Sequence, residues 1–116
     1  MPEPVIDRAT LEGLASTTDK EFVGELIDTF LEDAPTLLAA LSSTLEGQDA
    51  EGFRRAAHSL KSNGASLGAM AFSGSAKELE RMGKAGDLNG AAGRVESLRA
   101  EFDQVMQALR EYQHEP

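Results

Sequence analysis

Residues 95–112, VESLRAEFDQVMQALREY, place Val95, Leu98, Phe102, Val105, Leu109 and Tyr112 at successive intervals of 3, 4, 3, 4 and 3. At about 3.6 residues per turn, that series falls on one face of a helix. An extended strand would need alternation by twos, which appears nowhere for long in this chain. Working back towards the N-terminus, the same spacing recurs. Phe22, Leu26, Ile27, Phe30, Leu37, Leu38, Leu41 and Leu45 predict a second apolar stripe. Pro35 lies inside it and predicts either a kink near Leu31 or a junction between two shorter helices. Thr18 followed by Glu21 fits a capping box at the start of that segment. A short first helix is expected over Asp7 to Ala15, with Leu11 and Leu14 on one side. Gly47 reads as a stop and Asp49 as the next cap, opening a helix from Ala50 to about Leu67. Gly68 ends it. A further helix is expected from Ala69 to Gly83, with Gly83, Gly86 and Asp87 forming the loop before the last.

The fold class expected is therefore all-α: an antiparallel four-helix bundle with a short extra N-terminal helix. The 116 residues make one domain, with a core over about 6–112 and short tails. Val and Ile are too scarce for a sheet. No apolar run approaches the roughly 20 residues that span a membrane, and no secretory signal opens the chain. There is no cysteine, which excludes disulfides and thiol chemistry and fits a cytoplasmic setting. A formal net charge of -9 argues against nucleic-acid and lipid-surface binding. A DNA-reading helix-turn-helix is disfavoured for the same reason. The apolar stripes are used up within one bundle, so a monomer is expected.

The distribution of charge says more than its total. Gly52 to Lys77 holds no Asp or Glu in 26 residues but carries Arg54, Arg55, Lys61 and Lys77. The rest of the chain carries 20 acidic and seven basic residues. His58, one of two histidines, lies in this acid-free window. With Phe53 at zero, a rotation of about 100° per residue puts Ala57, Leu60, Gly64 and Leu67 on the core face. His58 then points about 140° away, towards solvent. Arg54, Lys61, Ser62 and Ala65 share its strip, and Gly64 adds to the small side chains expected to leave room for a bulky visitor.

A neutral ring nitrogen is a competent nucleophile towards phosphorus. A phosphoryl group placed there would gain negative charge that Lys61, and Arg54 or Lys84 beyond it, are placed to meet. Phosphoryl transfer normally also employs Mg²⁺ held by carboxylates, and the window has none. Glu78 or Glu80 on the next helix can approach, but one carboxylate makes a poor cage. No metal site is expected in this chain. A hydrolase or metalloenzyme is disfavoured, since His114 sits in the tail and no second ligand stands at helical spacing from His58.

The run Ala57-His58-Ser59-Leu60-Lys61-Ser62, with Gly68-Ala69 and Leu79-Glu80 following, resembles the histidine-containing phosphotransfer (HPt) domain of bacterial two-component phosphorelays. Glu25 to Pro35 is similar to that family's second helix, proline included. The resemblance spans about Ile6 to Leu109. It implies that His58 accepts a phosphoryl group from a receiver-domain aspartate and passes it to another receiver, with Lys61 steadying it. It implies a phosphocarrier rather than an enzyme, with no cofactor of its own and Mg²⁺ on the partner receiver. Response-regulator receivers and a sensor or hybrid histidine kinase are the implied partners. Gly68 is implied to allow a tight turn, and Glu80 and Lys84 to stand beside the histidine. Ser62 replaces the commoner glycine, and Phe72 the usual leucine. Arg54, Arg55, Ser62, Ala65, Gly68, Glu80 and Lys84 are the candidate docking or histidine-environment residues, with Ala65, Leu67 and Met70 as candidate apolar contacts. The alternative is a non-catalytic helical adaptor that docks on a receiver or kinase.

Overall fold

A computed structural model describes residues 5–115. Five helices follow one another: α1 (Arg8–Thr17), α2 (Lys20–Glu46), α3 (Ala50–Ser66), α4 (Met70–Ala85) and α5 (Ala91–Gln113). Connections of two to five residues force α2 to α5 into an antiparallel bundle, with α1 packed on α2. The particle measures 45 × 30 × 20 Å.

At its centre Phe30, Phe72 and Phe102 meet from three helices, with ring centroids 5.8 to 6.2 Å apart. Edge-on and tilted ring contacts of this kind add stabilisation beyond the area buried. The six-residue stripe of α5 is entirely buried. Along α2 the buried residues are Val23, Ile27, Phe30, Leu31, Ala34, Leu38 and Leu41. Phe22, expected in that stripe, is instead 42% exposed, because Val23 takes the inward position at the start of the helix.

Local expectations need two corrections at helix ends, and of the two alternatives at Pro35 the junction does not occur. Asp19, not Thr18, caps α2, its carboxylate accepting from the Phe22 N–H at 2.6 Å. Thr18 closes α1 instead, its hydroxyl donating to the Leu14 carbonyl at 2.6 Å, so the capping box does not form. Helix α2 runs through Pro35 as one element of 27 residues rather than two shorter ones. The lost N–H is tolerated because packing along both halves holds the axis together. Gly83 belongs to α4 and not to the loop, which begins at Gly86 with φ of 71°.

Candidate functional site

Helices α3 and α4 form the most closely packed pair in the bundle. Three side-chain choices bring them together. Gly64 gives up its side chain to the Phe72 ring, which a Cβ there would meet at 2.8 Å. Gly83 lies against the Arg54 backbone, where a Cβ would come within 2.9 Å of three of its atoms. Ser73, the one buried polar side chain among the described residues, donates its hydroxyl to the Lys61 carbonyl at 2.9 Å. The α3–α4 turn is fixed by Gly68, whose φ is 81° and whose carbonyl accepts from the Asp7 N–H at 2.7 Å.

This close approach sets Glu80 of α4 between two residues of α3. Its Oε2 lies 2.5 Å from His58 Nδ1, and its Oε1 accepts from Lys61 Nζ at 2.6 Å. Glu80 is only 16% exposed, whereas the His58 side chain is 54% exposed. The Lys61 hydrogen bond is the main force holding the Glu80 carboxyl below the ordinary carboxylate range; burial opposes it and the His58 contact reinforces it. An ionised carboxylate can only accept, so Nδ1 must carry the proton of this contact. The lone pair then belongs to Nε2. That nitrogen has no hydrogen-bond partner among the described residues, on a side chain that is more than half exposed. Pairing the imidazole with a carboxylate thus favours one tautomer, with the lone pair on the nitrogen away from Glu80.

Beside the ring runs an open groove lined by Arg54, Lys61, Lys77, Glu80, Arg81 and Lys84. Five cations thus surround one carboxylate, on a chain whose net charge is -9. The acid-free window of the sequence is not acid-free in space. Glu51, at its edge, holds Arg54 through two hydrogen bonds of 2.5 and 3.0 Å and contacts Arg55 at 3.4 Å. Those guanidinium groups pull the Glu51 carboxyl down to about 2, the Arg54 hydrogen bond contributing most.

The Hpt domain family model matches residues 25–111. The chain belongs to the Hpt domain family. Its fold is similar to that of histidine-containing phosphotransfer protein B (HptB) from Pseudomonas aeruginosa PAO1, with a TM-score of 0.89 and 29% identity over 97% of this chain and 96% of that one. No curated protein gave a significant match.

Within this Hpt domain the residues singled out from sequence separate into groups. His58, Lys61 and Glu80 meet directly, and Lys84 lies in the same groove. Arg54 lines the groove while committed to Glu51, and Arg55 points outward, 74% exposed. Ser62 is exposed and Ala65 half-buried on the histidine's strip. Gly64 serves the core rather than an opening beside the ring. Leu67 is 3% exposed and cannot offer apolar docking area, whereas Met70 is 49% exposed. Lys77, a member of the acid-free window, and Arg81, which the sequence does not single out, both line the groove within one turn of Glu80. The contact roles of Ser73 and of Gly83, which the sequence marks only as a loop residue, depend on what α3 places opposite them. Among the described residues no cluster of three metal-ligating side chains occurs, and no helix is long and apolar enough to cross a membrane.

Proposed function

We propose that this Hpt domain is a phosphorelay carrier whose phosphoacceptor is Nε2 of His58. The observation that carries the reading is the Nδ1–Glu80 contact on an exposed ring, which leaves the lone pair on Nε2. The Nε2 lone pair attacks phosphorus of a receiver's aspartyl phosphate. The N–P bond forms as the P–O bond to the aspartate breaks, and the aspartate leaves as a carboxylate. The ring keeps its Nδ1 proton and becomes positively charged, and Glu80 stabilises that charge through the shared proton. In the reverse sense, a ring protonated at Nδ1 is the better leaving group, so the same contact serves both directions. Lys61 contributes positive charge at the transferring oxygens.

Mg²⁺ is assigned to the partner receiver, since the groove offers one carboxylate already held by two partners. The cationic groove complements the acidic pocket expected of that receiver, which favours fast encounter and a short-lived complex. The chain is a carrier rather than a kinase, and receivers and a sensor or hybrid histidine kinase are the partners of such a carrier. Phosphorylated protein labelled with ¹⁵N in its histidines should show ¹⁵N–³¹P coupling at His58 Nε2. Coupling at Nδ1, or label on another residue, contradicts the reading. Pure protein given ATP and Mg²⁺ should take up no label, and autophosphorylation would contradict the carrier role.

A further inference from the structure

At rest both oxygens of Glu80 are occupied, Oε2 by His58 and Oε1 by Lys61. A phosphoryl group on Nε2 adds close to two negative charges one turn from Lys61. The single ammonium then faces two anions. If it turns to the phosphoryl group, a carboxylate only 16% exposed loses its strongest partner, which is costly for a half-desolvated charge. The groove contains candidates to replace it. Arg54 is held bidentately by Glu51, and Arg81 likewise by Glu78 at 2.5 and 3.0 Å. Lys77 precedes Glu80 by three residues, whereas Lys84 follows it by four. Acid followed by base at i, i+4 is the favourable order on a helix, and it puts the two side chains on one face about 5–6 Å apart at Cβ. Lys84 is exposed and engages no ion pair among the described residues. Gly83 beside it holds this turn of α4 against α3.

We propose that phosphorylation of His58 exchanges lysines on Glu80: Lys61 moves to the phosphoryl oxygens and Lys84 takes its place on Oε1. The proposal rests on His58 being the phosphoacceptor. Lys84 is then a positioning residue. It acts through Glu80, keeping that carboxylate satisfied and anchored on Nδ1 while Lys61 is away.

The test uses the full chain charged with phosphoramidate, a small N–P donor that needs no partner protein. The decay of phosphohistidine is followed by ³¹P NMR. Lys84→Ala should shorten its lifetime about two- to fivefold, the range expected for one partly exposed ion pair, and Lys84→Arg should restore it. In a Glu80→Gln background, Lys84→Ala should have no further effect. The Nδ1–H resonance of unphosphorylated His58 and the thermal midpoint should be the same with and without Lys84. An unchanged lifetime in Lys84→Ala overturns the exchange. So does an equal loss in the Glu80→Gln background, which would put Lys84 directly on the phosphoryl group. Wild-type protein that takes no label at His58 overturns the relay reading itself, a result distinct from the other two.

Discussion

At the scale of single residues, the chemistry turns on a carboxylate that sequence spacing only half reveals. His58 and Lys61 stand out because they share one outward strip of one helix, and a helical wheel reaches that far. Glu80 is 22 residues away, and its position depends on the rotation of α4 about its own axis. That rotation is set by Phe72 entering the space above Gly64, a tertiary contact with no local signature. Replacing Glu80 by Gln keeps an acceptor for Nδ1–H but removes the charge. A charge-assisted hydrogen bond is roughly twice as strong as a neutral one, so transfer should slow about tenfold in both directions. Rapid-quench transfer assays against a charged receiver check this. The same carboxylate carries a pH signature. Its folded pKa lies below the unfolded one, so its stabilisation is fully present above the ordinary carboxylate range and is lost as pH falls through the folded value. The stability gap between wild type and Glu80→Gln, read from urea midpoints, should therefore shrink with acidification below about pH 4.5.

At the scale of helices, periodicity delivers the elements and misses what joins them. The stripes of α2 and α5 are long enough to outvote local noise, although the inward residue at the start of α2 is Val23 rather than Phe22. The capping box failed because Asp19, the residue between Thr18 and the helix, is the better acceptor for the Phe22 N–H. Gly83 looked like a loop residue because glycine commonly punctuates. In fact it is a contact point, and Ala there would press on the Arg54 backbone from 2.9 Å. Gly83→Ala should destabilise by about 1–3 kcal/mol through overpacking, partly offset by its better helix propensity. It should also slow transfer, because it displaces Glu80 from His58. Gly74 on the same helix has open space around it, so Gly74→Ala should stabilise by up to about 1 kcal/mol and leave transfer unchanged. Chemical denaturation of the pair separates packing from propensity. Gly68→Ala should be worse than either, since it meets the Asp7 carbonyl oxygen at 2.7 Å as well as a positive φ.

At the scale of the whole molecule, a strongly acidic bundle gathers its cations beside one histidine. Elsewhere, arginine donors close the bundle: Arg110 donates to the Asp28 carboxylate at 2.8 Å and Arg99 to the Ser42 hydroxyl at 2.8 Å, tying α5 to α2. Net charge and the acid-free window announced the cationic face. They did not announce that Glu51 would pair with Arg54 one turn on along α3, or that Glu80 would enter from α4, because a count along the chain registers neither the turn of one helix nor neighbours across helices. The central claim is that His58 is where the phosphoryl group stops between receivers. It is tested most directly by offering the chain a panel of receiver domains charged on aspartate, with Mg²⁺, alongside a His58→Gln variant. The account predicts label on the wild-type protein that is labile to acid and stable to base, passes on to a second receiver, and is absent from the variant. Transfer that persists in the variant, or binding by both proteins with transfer to neither, would contradict it, and the second result would favour an adaptor.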